Sequence, residues 1–99
     1  MTPNVSVLLP TYNMESLVGQ AIRSALQYTG PDIEVIVLDD GSTDNTQQVL
    51  APFITASASD YDPRVRVYRH ANRGKSATVN RGFELAKGDY ITIFDADYE

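Results

Sequence analysis

Apolar residues along this chain fall into two alternating rhythms, dense short runs and stripes at helical spacing. Residues 5–9 form a dense run that Pro10 closes, the pattern of a buried strand. From Glu15 the rhythm changes. Leu17, Val18, Ala21, Ile22, Ala25 and Leu26 return at spacings of one and four, a single stripe of an amphipathic helix that Gly30 and Pro31 stop. Residues 33–38 are a second β-branched run, interrupted only by Glu34. The segment Asp39-Asp40-Gly41-Ser42-Thr43-Asp44 reads as a turn into a helix capped by Ser42 or Thr43. That helix places Thr46, Val49, Leu50 and Phe53 on its apolar face, and Pro52 must end or bend it. Residues 56–63 are small and polar, hence a loop. Residues 64–69 alternate charge with Val65 and Val67, which predicts a strand near a sheet edge. Residues 76–87 carry Val79, Phe83 and Ala86 on one helical face, with Gly88 where a left-handed terminating residue belongs. Residues 90–94 are the last strand, cut short by Asp95.

Strands alternating with helices of about a dozen residues imply right-handed crossovers and a parallel sheet covered on both faces. The predicted fold is therefore α/β, a three-layer sandwich around a mostly parallel sheet. In such sheets ligands bind beyond the carboxyl ends of the strands. Four polar clusters fall at that edge: Thr11-Tyr12-Asn13, Asp39-Asp40-Gly41, Asn72-Arg73-Gly74-Lys75 and Asp95-Ala96-Asp97.

Composition narrows what such an edge binds. The 99 residues carry a formal net charge of −5 with only 8 Lys and Arg, so the basic stripe that a nucleic-acid backbone requires is missing. An acidic chain that binds a polyphosphate needs a few placed cations or a metal ion. There is no cysteine, which removes disulfides and thiolate metal sites. Apolar runs fall far short of the roughly 20 residues of a membrane span. No basic head precedes an apolar stretch at the N-terminus, so a cytoplasmic location is expected.

Asp95 and Asp97 lie two apart in an extended stretch, so both carboxylates can face one cavity and offer hard oxygens to Mg²⁺ or Mn²⁺. Gly41 and a capping hydroxyl explain much of the second cluster, but two consecutive acids at a strand end call for an external partner such as a base edge or ribose hydroxyl. Gly74-Lys75-Ser76 is either a helix start capped by Ser76 or a lysine reaching a nucleotide. It is not a P-loop, whose first glycine would fall at Arg69. Tyr12 is either surface filler or a face for base stacking. His70 reads as a surface residue at a strand end. The turn after the first strand, Pro10-Thr11-Tyr12-Asn13, lacks the Gly-x-Gly-x-x-Gly of a dinucleotide fold.

Five segments in register resemble glycosyltransferase family 2: residues 5–13, residues 38–44, Asn72-Arg73-Gly74-Lys75-Ser76, Asn80-Arg81-Gly82, and residues 88–97. The resemblance covers essentially the whole chain. It implies a GT-A fold, a Rossmann-like nucleotide-binding half, and sugar transfer from a nucleotide diphosphate sugar, UDP-linked, inverting and dependent on Mg²⁺ or Mn²⁺. By the same resemblance Pro10, Thr11 and Tyr12 lie beside the base, Asp40 hydrogen-bonds it with Asp39 alongside, and Lys75 approaches the base or phosphates. Asp95 sits near the ribose and Asp97 ligates the metal. Three departures stand out: Met14 separates Asn13 from Glu15, Tyr98 follows the acidic triad, and the chain ends at Glu99. Residues 1–99 are thus expected to be the donor-binding part of a truncated GT-A domain, with the general base and the pocket for a saccharide, lipid or protein acceptor further on. A non-catalytic nucleotide-binding module is the alternative. The strand at 90–94 would then be an open edge through which the chain self-associates.

Overall fold

The computed structural model describes residues 3–27 and 32–94. Strand β1 (Val5–Thr11), helix α1 (Val18–Leu26), β2 (Ile33–Asp40), α2 (Thr46–Ile54), β3 (Val65–His70), α3 (Lys75–Leu85) and β4 (Tyr90–Ile93) follow in that order. The four strands form one sheet in the order β3-β2-β1-β4, every pair parallel. Helices α1 and α2 cover one face and α3 the other. This division follows from handedness. The crossovers through α1 and α2 step outward from β1 toward β3, whereas the crossover through α3 steps back past β2 and β1 to β4. Connections of one hand that run in opposite directions must cross opposite faces. The reversal puts a topological switch between β1 and β4, the place where such sheets open a crevice.

β2 is buried along its whole length, and its alternate residues supply both cores. Val35 and Val37 join Val7, Leu9 and Val65 beneath Val18, Ile22, Leu50 and Phe53. Ile36 and Leu38 join Leu8 on the opposite face, with Tyr68, Leu85 and Ala86 packed against them.

Several boundaries differ from the sequence expectations. Pro10 does not close β1, which runs on to Thr11. The N–H of Phe94 donates to the carbonyl of Leu8, so even-numbered β1 residues face β4 at this end, and Pro10 lies past the last β1–β4 pair, Leu8↔Ile93. Its missing donor therefore breaks no pair of that ladder. α1 starts at Val18, preceded by a turn in which the carbonyl of Met14 accepts from Leu17 and Val18, so Leu17 is left exposed. Pro52 sits inside α2 rather than ending it. Neither Ser42 nor Thr43 caps α2. Asp44 Oδ1 takes that part, accepting from the N–H of Thr46 at 2.9 Å and from its hydroxyl at 2.5 Å. The cap position of α3 is Gly74, whose φ of 94° suits glycine, rather than Ser76, which lies inside the helix. Its buried face is Thr78 and Gly82, while Phe83 is 47 % exposed. A Cβ on Gly82 would stand 2.8 Å from Leu38 Cδ1 and 2.9 Å from Leu8 Cδ1, so α3 lies against the sheet because its contact residue has no side chain. Gly88 does not take a left-handed terminating role either. It is needed for close approach, since a Cβ there would meet the Ser6 nitrogen at 2.7 Å.

Glu34, the polar break in β2, is buried at the amino end of the sheet. It accepts from Ser6 Oγ at 2.6 Å, from the N–H of Lys87 at 2.7 Å and from Arg66 Nη1 at 2.5 Å. Ser6 Oγ in turn accepts from the N–H of Gly88 at 2.8 Å. One carboxylate thereby ties β2, β1, β3 and the entry to β4 together. Burial pushes the Glu34 carboxyl up, but the bonds from Ser6, Lys87 and Arg66 outweigh it and hold the group below its ordinary value of 4.5. A depressed carboxyl contributes stability above its unfolded pKa and loses it as pH falls through the folded one. Replacing Glu34 by Gln is expected to lower unfolding free energy at pH 7 by about 1–3 kcal/mol. The gap from the parent should close as pH is taken below 4.5. Urea titrations at several pH values check both, and a constant gap would show that the charge contributes nothing.

Candidate functional site

The carboxyl ends of β1, β2 and β3 carry the polar clusters, and the structure stitches them to one another. Asn13 adopts a φ of 51°, and its Oδ1 accepts from the N–H of Thr43 at 2.7 Å and of Asp44 at 3.3 Å. In return the N–H of Asn13 donates to Ser42 Oγ at 2.9 Å, and the N–H of Met14 donates to Thr46 Oγ1 at 3.0 Å. The loop after β1 and the loop after β2 are therefore tied to each other at several points. Thr11 is buried at the end of β1 in register with Asp39, and its hydroxyl turns back to the carbonyl of Leu9 at 3.1 Å. Tyr12 is half-buried beside it.

Asp39 and Asp40 are not in a turn. Both are the last residues of β2, fully buried, opposite Arg69 and His70 of β3. Consecutive strand residues point to opposite faces, so the two carboxylates do not share one environment. Asp40 is saturated from within the protein, which removes the expected need for an external partner at that residue. Its Oδ1 accepts from the N–H of Arg73 at 2.9 Å and faces His70 Nε2 at 2.9 Å. Its Oδ2 accepts from the N–H of Gly74 at 3.1 Å and from Asn72 Nδ2 at 3.2 Å. Asp39 is different. Its Oδ1 accepts from the N–H of Ser42 at 3.0 Å, while its Oδ2 is the one buried side-chain atom without a hydrogen-bond partner among the described residues. An orphaned buried carboxylate oxygen is costly to a fold and marks a place where a ligand donor would be welcome.

Gly41 completes the junction. Its φ is 68°, and a Cβ there would fall 2.6 Å from the nitrogen of Asn72, so the loops after β2 and β3 touch backbone to backbone. Asn72 Nδ2 also donates to the carbonyl of Asp40 at 3.1 Å, and Arg69 donates to the carbonyl of Ser42 at 3.2 Å. Lys75, the first residue of α3, follows directly from this junction.

His70 departs most from expectation. It is no surface residue, since its side chain is 6 % exposed and sits among Asp40, Thr78 and Arg81. With them it forms a polar cluster that residue-by-residue reading missed. The signal available was register: a parallel ladder that pairs β2 with β3 sets His70 opposite Asp40. Pro10, Thr11, Asp39 and Asp40 end their strands at this edge, Tyr12 directly follows β1, and Lys75 opens α3 there. Asp95 and Asp97 lie outside the described residues. Among the described residues no group of three His, Cys, Asp or Glu side chains could hold a metal ion, and no helix is long and apolar enough to cross a membrane.

Residues 6–99 match glycosyl transferase family 2. An uncharacterized glycosyltransferase of Haemophilus influenzae is 40 % identical over 96 residues, covering 96 % of this chain and 36 % of the relative. Staphylococcus aureus TarS 1-349 in complex with UDP-GlcNAc superposes with a TM-score of 0.80 at 28 % identity, over 95 % of this chain and 26 % of that one. The mannosyltransferase PcManGT of Pyrobaculum calidifontis, in complex with GDP-Man and Mn²⁺, also gives 0.80 at 28 % identity, over 98 % and 28 %. The chain thus spans between about a quarter and just over a third of the length of these proteins. Its all-parallel, three-layer sheet is that of the GT-A glycosyltransferases. With a match from residue 6 to residue 99, the chain belongs to glycosyl transferase family 2.

Proposed function

We propose that these residues form the donor-nucleotide half of a glycosyltransferase that moves a sugar from a nucleotide diphosphate sugar, UDP-linked, to an acceptor with inversion at the anomeric carbon. The observation that carries this reading is the carboxyl edge of the sheet, where Asp39 keeps one buried oxygen unpartnered beside Thr11 and Tyr12. A nucleobase N–H would satisfy that oxygen. Asp40, its oxygens engaged by residues 70 and 72–74, acts on the base by framing the pocket wall. Pro10, Thr11 and Tyr12 supply the flat side, Lys75 the cation on the phosphate side, and Asp95 the ribose contact. The bound UDP-GlcNAc of TarS and GDP-Man of PcManGT support a nucleotide sugar as ligand class, and the Mn²⁺ of the latter supports a divalent ion.

The chemistry of the donor set fits Mg²⁺ or Mn²⁺. A site chain of net charge −5 has few cations to place against a diphosphate, and the Asp95-Ala96-Asp97 carboxylates that follow β4 are hard oxygen donors. Asp97 is the ligand in this reading. A divalent ion held there would supply positive charge against the diphosphate leaving group. The chain's own residues orient the donor so that its anomeric carbon faces the acceptor, whose activating base comes from the remainder of the protein.

Asp97→Asn keeps size and polarity but removes the charge that a hard cation needs. It is expected to abolish the Mn²⁺-dependent part of UDP affinity, on the order of 1–3 kcal/mol, and to leave uridine binding unchanged. Asp39→Asn and Asp40→Asn should instead weaken uridine with or without metal. Calorimetry with UDP and uridine, each with Mn²⁺ and with a chelator, reads all three. Unchanged metal dependence in Asp97→Asn would remove that residue from the metal site.

The 99 residues by themselves are proposed to bind nucleotide without transferring sugar. Among the described residues β4 pairs only with β1, and Tyr90 is 68 % exposed. A groove of about 260 Å³ lined by Val7, Ser24, Thr92, Ile93 and Phe94 runs beside it. An unpaired strand edge with apolar flanks is a template for another strand, so the chain should sediment as dimers or larger species at micromolar concentration and show no turnover with UDP- or GDP-sugars. A clean monomer would contradict the first expectation, and glycosyl transfer the second.

A further inference from the structure

His70 is the single histidine of the chain, and its imidazole is enclosed between β2 and α3. Nε2 lies 2.9 Å from Asp40 Oδ1 and 3.0 Å from Thr78 Oγ1, while Nδ1 lies 2.7 Å from Arg81 Nη1. These neighbours select one protonation state. A guanidinium only donates, so Nδ1 must present its lone pair. An ionised carboxylate only accepts, so Nε2 must carry the hydrogen. Thr78 agrees with this assignment, because its hydroxyl donates to the carbonyl of Gly74 at 2.8 Å and leaves its lone pairs for Nε2–H. His70 is therefore the neutral Nε2–H tautomer, linking Arg81 of α3 to Asp40 of β2. Arg81 is itself anchored, donating to the carbonyl of Arg69 at 3.2 Å and lying over the Tyr68 ring at 5.6 Å.

What this link holds in place is the start of α3. No side chain caps that helix, and Gly74 enters it at a φ of 94°. The N–H groups of Arg73 and Gly74 are bound instead by the two oxygens of Asp40. Those oxygens meet both N–H groups at once only while the carboxylate keeps its present rotation, and Nε2–H of His70 is a side-chain donor that pins Oδ1.

We propose that His70 is a positioning residue of the donor site: as the Nε2–H tautomer it aims Asp40 at the backbone of residues 73 and 74, and so sets the turn that presents Lys75. Its functional meaning rests on the donor-binding reading above, whereas the clamp is a property of the fold.

A chain labelled with ¹⁵N-histidine reports on one imidazole, and at neutral pH it is expected to show an unprotonated Nδ1 and a protonated Nε2. An imidazolium or an Nδ1–H tautomer overturns the proposal. Two substitutions separate the Nε2 donor from bulk. Gln carries an NH₂ to about the reach of Nε2, whereas Asn reaches only about as far as Nδ1. In His70→Gln, amide exchange at Arg73 and Gly74 and the affinity for UDP with Mn²⁺ should stay within about twofold of the parent, and in His70→Asn both should change by about tenfold. Melting curves confirm that each variant is folded. Equal behaviour of the two variants overturns the proposal. If the parent binds neither UDP nor GDP, the donor reading falls and takes the functional role of His70 with it, while the exchange rates still decide whether the clamp exists.

Discussion

Burying a carboxylate without partners costs several kcal/mol, and β2 ends in two of them side by side. The local architecture of the carboxyl edge follows from how each is accommodated. Pleating sends them to opposite faces, so their mutual repulsion is reduced before any partner is found. Asp40 then draws the loop after β3 against the end of β2 with bonds from two backbone N–H groups and an Asn side chain. Asp39 draws the turn after β2 inward through Ser42. The loops at the sheet edge are consequently folded around carboxylates rather than around an apolar core, and they stay polar and shaped. One oxygen of Asp39 is left over. Among the described residues it is the one buried side-chain oxygen or nitrogen left open, and an atom in that state calls for an explanation beyond packing.

The opposite end of the sheet solves the same problem without leaving anything open. Glu34 gathers Ser6, Arg66 and the backbone of Lys87, and none of its bonds points to a ligand. Both ends of the α3-facing side are thus closed by a carboxylate from β2, one before and one after the apolar patch of Ile36 and Leu38. Between them α3 approaches on Thr78 and Gly82, a contact small enough to bring its first turn into line with Asp40 and His70. The Glu34 network ties the strands together at the amino end, and the Asp40 network holds the loop after β3 at the carboxyl end.

Much of this was legible in the order of residues. The alternation of dense apolar runs with helical stripes determined the sequence of elements, the parallel sheet and its coverage on both faces, because those patterns depend only on the period of each backbone conformation. Charge and the absence of cysteine limited the ligand class, and five motifs in register pointed to the family. The element boundaries were less legible. Pro10 continues a strand since its missing donor breaks no pair with β4, and Pro52 is carried inside a helix. Local rules penalise both, and neighbours elsewhere in the chain decide the outcome.

The roles of individual polar residues belonged to the tertiary structure. Nothing near Asp39 and Asp40 in sequence distinguishes them, yet one is saturated and the other half free, because the partners of Asp40 arrive from residues 70–74 across a strand pairing. His70 looked like a surface residue for the same reason: its three partners come from β2 and α3. Gly82 and Gly88 are required by what lies opposite them, Leu8 and Leu38 in one case and the Ser6 backbone in the other. Periodicity by itself determines which way a chain folds, since it is a property of each segment alone. Which oxygen stays open and which imidazole nitrogen carries the proton are properties of pairs, and pairs exist only once the sheet has brought distant residues together.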